Sequence, residues 1–328
     1  MRKKRMIFTL LVCGCMIVGS ITLSATVGKQ EITQKIAKSA SADALPKQVK
    51  KLKFVNACKQ LKAGKTKQFR VNKKGVIWKT NNPRIALVTR NGKVKALRIG
   101  KTTISATVKK ETVKVVLRVI PKKVIGIDPG HQQRANNGLE PNGPGASVRK
   151  AKVTGGTRGV SSGKTESAVM LEIALKLRDA LEDKGYGVVM TRTKQNVDIS
   201  NAKRAKLLNK KCDIALRLHA DGINNSSVNG ASMQCSTASN PYIGGLYREC
   251  KKLSESILQK YCQSTQRRNR GISYRDDLTG TNFSTIPVTL IELGFMTNVA
   301  EDQYLTSEDG QKEIVKGLVA GIDKYFKK

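Results

Sequence analysis

The sequence predicts an α/β domain with a mostly parallel sheet flanked by helices, preceded by a small all-β sandwich. Three observations predict it. From Val124 onward, short apolar runs alternate with long helical patterns, the arrangement of βαβ units. Between about Leu45 and Lys123 the apolar residues instead come in short β-rich runs separated by turn signals. The charge changes at the same place: that segment holds 24 Lys or Arg and one acid, Glu111, in a chain of 328 residues with a formal net charge of +37. A chain of this length is expected to bury two cores.

Arg2, Lys3, Lys4 and Arg5 precede an apolar run from Met6 to about Ala25, the layout of an export signal. At about 20 residues the run is also long enough to span a bilayer uncleaved. Residues 1–28 are therefore expected to be a signal or an N-terminal anchor. Ala40-Ser41-Ala42 and Ala42-Asp43-Ala44 resemble cleavage sites but lie far downstream, and the apolar run continues past Cys15, which argues against lipid attachment there. Residues 29–44, polar and small, read as a linker. An exported chain with this charge meets anionic lipid or the acidic polymers of a wall. Nucleic acid is not an expected partner, since aromatics are only 4 % and no stacking motif is present. Outside the export segment five cysteines remain, Cys58, Cys212, Cys235, Cys250 and Cys262. An odd number without framework spacing reads as small buried hydrophobes with at most one bridge.

The β-domain is placed at 45–121. Its strands are expected over Gln68–Val71, Val76–Lys79, Ile85–Val88, Lys93–Leu97, Thr102–Val108 and Val113–Val119, with turns at Lys73-Lys74-Gly75, Asn81-Asn82-Pro83, Asn91-Gly92 and Gly100. Trp78, the only tryptophan, is the expected core anchor. The strings Leu61–Phe69, Val76–Asn82, Gly92–Leu97 and Gly100–Ile104 resemble the bacterial immunoglobulin-like domain, group 2. That resemblance implies an immunoglobulin-like sandwich acting as a surface-displayed accessory module. Together with the charge it implies docking on anionic wall polymers.

The second domain is placed at 122–328. Val124–Asp128 is a strand running into Pro129-Gly130-His131, and a long loop rich in Gly, Asn and Pro follows to about Lys164. Thr165–Lys184 is a helix, Gly187–Thr191 a strand, Ile199–Lys211 a helix and Cys212–His219 a buried strand. Ala231–Thr237 is a strand, Tyr242–Gln263 a helix, Val288–Leu293 an apolar strand, and one helix from about Asp302 to Phe326 closes the chain. In such sheets, function gathers beyond the carboxyl ends of the strands.

His131 and His219 are the only histidines, and each ends an apolar strand, so both should project at one edge of the sheet. A lone histidine is more often a satisfied core or surface group; two at such positions point to a shared site. Glu166 leads the stripe Met170, Ile173, Ala174, Leu177 and Leu181, whereas Glu172, Asp179 and Asp183 fall on the opposite face. A first-turn acid could serve the helix dipole alone, but that would not require the apolar face. Two histidines and one glutamate form a three-ligand zinc set that leaves a position open for water, the catalytic arrangement. Absence of H-E-x-x-H excludes the metalloprotease helix of that type. Glu292 lies within the apolar run Val288–Phe295. A carboxylate there is costly to bury unless paired or placed at a functional opening, and burial raises its pKa toward that of a general base. A buried ion pair with a Lys or Arg is the competing explanation.

Val124-Ile-Gly-Ile-Asp-Pro-Gly-His131, Glu166 at its helix start, Val189-Met-Thr-Arg192, Leu218-His-Ala-Asp221 and Ile291-Glu-Leu-Gly-Phe-Met-Thr-Asn298 resemble, in order, the zinc-dependent N-acetylmuramoyl-L-alanine amidases. The resemblance covers about Lys122 to the C-terminus. It implies Zn2+ on His131, Glu166 and His219, catalysis by Glu292, and peptidoglycan as substrate, cut between the lactyl group of N-acetylmuramic acid and L-alanine. The chain departs from the family at Gln132-Gln133, where Gly is usual, and at Arg217-Leu218, where Ser-Ile or Ser-Leu is usual; neither removes a ligand. Arg134, Arg149 and Arg158, in the loop between two ligands, are candidates to hold a stem carboxylate, or are merely solvated. A zinc carboxypeptidase acting on the stem and a non-catalytic basic wall-binding protein are the alternative functions.

Overall fold

The computed structural model describes residues 50–327. The expected export segment, the linker and residues 45–49 of the β-domain lie outside the described residues. The described residues of the β-domain form nine strands: β1 Phe54–Asn56, β2 Gln60–Lys62, β3 Thr66–Gln68, β4 Arg70–Val71, β5 Ile77–Thr80, β6 Ala86–Val88, β7 Lys93–Ala96, β8 Gly100–Val108 and β9 Glu111–Ile120. They pair as one sheet in the order β2-β9-β8-β5, a second in the order β3-β7-β6, and the ribbon β1-β4. Period-two alternation explains the sandwich: Leu117 and Val119 of β9 are buried while Lys114, Val116 and Arg118 are exposed. The core holds Phe69, Ala86, Val94, Ala96, Ile104, Leu117 and Val119. Phe69, fully buried, is its anchor. Trp78 is only half-buried and packs from the edge, 6.2 Å from Phe54 between ring centroids, which corrects the expectation for the tryptophan. Gly92 is required beside it, since a Cβ there would lie 2.7 Å from the Phe69 carbonyl oxygen and 2.8 Å from the indole, at φ +81°.

The elements that follow are β10 Val124–Pro129, β11 Asn136–Pro141, β12 Arg149–Val153, α1 Glu166–Asp183, β13 Gly187–Met190, α2 Asn201–Asn209, β14 Ile214–Asp221, β15 Ala231–Cys235, α3 Tyr247–Thr265, β16 Asn269–Tyr274, α4 Thr279–Asn282, β17 Val288–Phe295, α5 Val299–Thr306 and α6 Glu308–Phe326. The sheet order is β13-β10-β14-β17-β15-β16. β13, β10, β14 and β17 run parallel, and β15 is antiparallel to β17. Helices α1, α3 and α6 bury their apolar stripes on one face, against Ile125, Ile127, Leu216, Leu218, Ile291 and Leu293. Leu208 of α2 packs on the other with Ala215 and Val288. Strand alternation and register therefore put Arg217 and His219 of β14 on the same face as Leu290 and Glu292 of β17.

Three expectations change. The stretch from Gln132 to Lys164 is not one loop, because β11 and β12 pair as an antiparallel hairpin within it. The closing helix is two: Ser307, extended at ψ 152°, ends α5 and caps α6 by accepting from the Gly310 amide. Strand β16 was not expected. The five cysteines from Cys58 onward are free, and no helix among the described residues is long and apolar enough to cross a membrane.

Candidate metal centre and active site

His131 stands just past β10 in the left-handed region at φ +57°, a conformation costly for a β-carbon residue and sustained only by its surroundings. Two buried arginines supply that support. Arg204 of α2 donates to the carbonyls of Pro129 (2.8 Å) and His131 (2.7 Å). Arg192 donates to those of Pro129 (3.1 Å), Gly130 (2.8 Å) and Ser167 (2.8 Å). Asp128 sits beneath them, 3.0 Å from Arg204 and 2.9 Å from Arg217, and accepts from the Thr191 hydroxyl at 2.6 Å. Its burial would raise its pKa, but the two guanidiniums and the hydroxyl hold it well below the usual carboxylate range.

Thr165 caps α1, and Glu166, first in the helix, turns its buried carboxylate toward both imidazoles. Oε2 lies 3.1 Å from His131 Nε2, and Oε1 lies 2.9 Å from His219 Nδ1. The same oxygens accept from the amides of Thr157 (3.0 Å) and Ala220 (3.1 Å). Burial raises the Glu166 pKa, yet the two histidines against its oxygens outweigh that effect and hold the group far below its ordinary value. The imidazoles cross edge to face with centroids 4.8 Å apart. Two glycines make room for this arrangement: a Cβ on Gly130 would lie 2.5 Å from His219 Cε1, and one on Gly156 would lie 2.7 Å from Glu166 Oε2.

Ligand atoms from His131, Glu166 and His219 fall within 4.8 Å of one another. The proton inventory fits a cation. The Thr154 carbonyl, 2.8 Å from His131 Nδ1, can only accept, so Nδ1 carries a hydrogen, and in the neutral ring Nε2 then presents a lone pair. That lone pair faces a carboxylate oxygen, an arrangement a cation between them stabilises. His219 Nε2 is buried and has no partner among the described residues.

Glu292 is opposite His219 in the β14–β17 register. Its Oε1 accepts from Gln234 Nε2 at 3.1 Å, while Oε2 is buried and has no partner among the described residues. No Lys or Arg forms an ion pair with it among the described residues, so the competing explanation from sequence does not hold. Burial first, then the charges of Glu166 and Asp221, push its pKa well above the ordinary glutamate value.

A cavity of about 510 Å³ opens over His131 and His219, lined also by Lys150, Arg217, Arg275 and Asp277. Arg134, Arg149 and Arg158 do not line it. Arg149 donates to the Leu139 carbonyl at 3.2 Å and Arg158 to that of Gly163. The residues that sequence reading missed are Asp128, Arg192 and Arg204 under the His131 turn and Lys150, Arg217 and Arg275 around the cavity. Three of these carried a signal: Asp128 and Arg192 stand in motif strings, and Arg217 falls in one of the two departures from family usage.

Residues 125–324 match the family model described as N-acetylmuramoyl-L-alanine amidase, and residues 46–119 match that of the bacterial Ig-like domain, group 2. The uncharacterized protein YqiI of Bacillus subtilis is 28% identical over 167 residues, covering 51% of this chain and 77% of that one. The germination-specific N-acetylmuramoyl-L-alanine amidase of the same organism is 26% identical, covering 62% and 80%. Among solved structures, the apo form of the N-acetylmuramyl-L-alanine amidase Ami1 from Mycobacterium abscessus superposes with a TM-score of 0.57 at 26% identity, over 63% of this chain and 99% of that one.

Proposed function

Since the chain belongs to the N-acetylmuramoyl-L-alanine amidase family, we propose that His131, Glu166 and His219 hold a zinc ion and that Glu292 is the catalytic base. The enzyme hydrolyses the amide between the lactyl group of N-acetylmuramic acid and L-alanine of the peptidoglycan stem, so it works at the cell wall. The observation that carries the site assignment is the Glu166 carboxylate bridging the two imidazoles under an open cavity, with Glu292 beside His219.

Bound there, zinc supplies a Lewis acid for the carbonyl and lowers the pKa of water. Glu166 and the two histidines hold the ion, and the Thr154 carbonyl fixes the His131 ring. Glu292, kept basic by burial and aimed by Gln234, accepts a proton from the attacking water as its oxygen bonds to the carbonyl carbon. The same carboxyl then gives that proton to the alanine nitrogen as the C–N bond breaks. Metal analysis of the purified chain combined with product mass on a wall digest tests the reading. The expected products are stem peptides with a new free L-alanine amine and no new reducing ends. Release of a C-terminal residue from the stem would instead establish the carboxypeptidase reading.

The domain layout is part of the proposal: an export signal or anchor over 1–28, a linker over 29–44, the immunoglobulin-like domain over 45–121 and the amidase over 122–328. So is a role for the β-domain on anionic wall polymers. On the outer face of the sheet β2-β9-β8-β5, exposed Lys101 is register partner of Arg118, and Lys79 and Lys114 flank Ser105. Like charges directly opposite on paired strands destabilise a sheet, which a polyanion on that face would reverse.

A further inference from the structure

The cavity beside His131 and His219 carries more positive charge than hydrolysis of a neutral amide requires. Arg217, at its floor, is buried. Its Nε donates to Asp128 at 2.9 Å and its Nη2 to Asn201 Oδ1 at 2.8 Å. Gly280 leaves the space for it, since a Cβ there would lie 2.5 Å from the guanidinium carbon. Asp128 is already matched by Arg204 at 3.0 Å, so Arg217 brings a second cation to one carboxylate. At the rim, Lys150 Nζ lies 2.8 Å from Asp277 Oδ2, and Arg275 Nε lies 2.6 Å from Asp277 Oδ1. Again two cations share one carboxylate. Both rim side chains are about two-fifths exposed and keep donors free for a ligand.

We propose that this cavity recognises a free carboxylate on the stem peptide, and that Arg217, Lys150 and Arg275 select that carboxylate over its carboxamide. The inference rests on the amidase reading of the site. A carboxylate presents only acceptors to these donors, in the planar geometry a guanidinium matches; a carboxamide sets its own NH2 against them. The chemistry sought from Arg134, Arg149 and Arg158 thus resides in three other cations, one of them at the position where the family usually has serine.

The test uses two synthetic muramoyl peptides that differ only in whether the residue after L-alanine carries a free carboxylate or a carboxamide. Their equilibrium binding is measured on the zinc-loaded full chain bearing Glu292→Gln. The acid is expected to bind at least tenfold more tightly, and adding Lys150→Gln or Arg275→Gln to bring that ratio toward one. Among the described residues the Lys150 ammonium bonds Asp277 alone, so its replacement leaves the Gln234–Glu292 pair in place; zinc content and thermal midpoint verify the fold. Equal binding of acid and amide, or a ratio unmoved by both replacements, overturns the proposal. Should a variant misfold, the acid-to-amide ratio of the Glu292→Gln chain and its fall with added salt decide alone. Cleavage of both peptides by the wild-type chain without preference sinks the carboxylate site and spares the amidase reading. Preference in binding without cleavage of the muramoyl–alanine bond does the reverse.

Discussion

Glu166 Oε2 stands 3.1 Å from His131 Nε2, the acceptor nitrogen of the neutral ring because the other ring nitrogen is 2.8 Å from the Thr154 carbonyl. Two acceptors at that separation are stabilised by a cation shared between them, and the two histidines and Glu166 are a donor set that suits zinc. Zinc should therefore stabilise the fold by mass action, by about 2.7 kcal/mol at a free concentration one hundred times Kd. A chelator should lower the thermal midpoint of the wild-type chain and abolish turnover, and zinc should restore both. In Glu166→Ala the midpoint should no longer respond to either. A midpoint indifferent to chelator in the wild-type chain would count against the metal.

Glu292→Gln should keep zinc and fold yet lose about 10²–10⁴-fold in kcat, the usual contribution of a general acid–base group. The Gln234 contact at Oε1 can be kept by the amide oxygen, so structure is not the cause of the loss. Full activity in the variant would remove Glu292 from the mechanism.

Gly130 faces the His219 ring so closely that a methyl group would sit 2.5–2.7 Å from three of its atoms. Gly130→Ala should displace the imidazole, and zinc affinity should fall by at least the 10–100-fold typical of disturbed supports of a metal site. Zinc titration against a competing chelator measures this. Unchanged affinity would mean that the ring position does not set the site.

Asp128 is buried between Arg204 and Arg217, and its folded pKa is depressed below the ordinary 3.8. A depressed carboxylate contributes stability that is fully present above the unfolded value and is lost as pH falls below it. Urea unfolding should show stability dropping below about pH 4. Asp128→Asn should cost about 3–5 kcal/mol at pH 7, because two guanidiniums are left buried without their counter-ion, and it should flatten the acid limb. An unaltered acid limb would place the acid sensitivity elsewhere.

How much of this was legible depends on whether the determinant was local. The stripe behind Glu166, the strand ends carrying His131 and His219 and the apolar frame of Glu292 are periodic patterns, and periodicity survives in one dimension. The hairpin β11–β12 was hidden because β11 is largely Asn, Gly and Pro without alternation, and the Lys-Ala-Lys-Val alternation of β12 is too short to announce a strand alone. The break at Ser307 was hidden because a one-residue cap interrupts an otherwise continuous helical pattern. The cations of the cavity come from β12, β14 and the segment after β16, and only the sheet order brings them together; the nearer arginines in sequence turn elsewhere.

The outer face of the β-domain gives the last prediction. Exposed cations screened by salt interact weakly one at a time, about 0.2–1 kcal/mol each, so attraction to a polyanion must come from several acting together. Lys79, Lys101, Lys114 and Arg118 lie on one sheet face, and the one acid of the domain, Glu111, is paired with Lys73 at 2.6 Å. Replacing those four by Gln should weaken binding to walls that retain phosphate-rich polymers by about tenfold at low salt, a sum of such small terms. The same replacement should raise the β-domain's own stability slightly, since the Lys101–Arg118 repulsion is relieved. Binding to walls stripped of those polymers should not change. Equal binding of the wild-type chain to stripped and intact walls, or no loss in the Gln variant, would assign the charge to solubility alone.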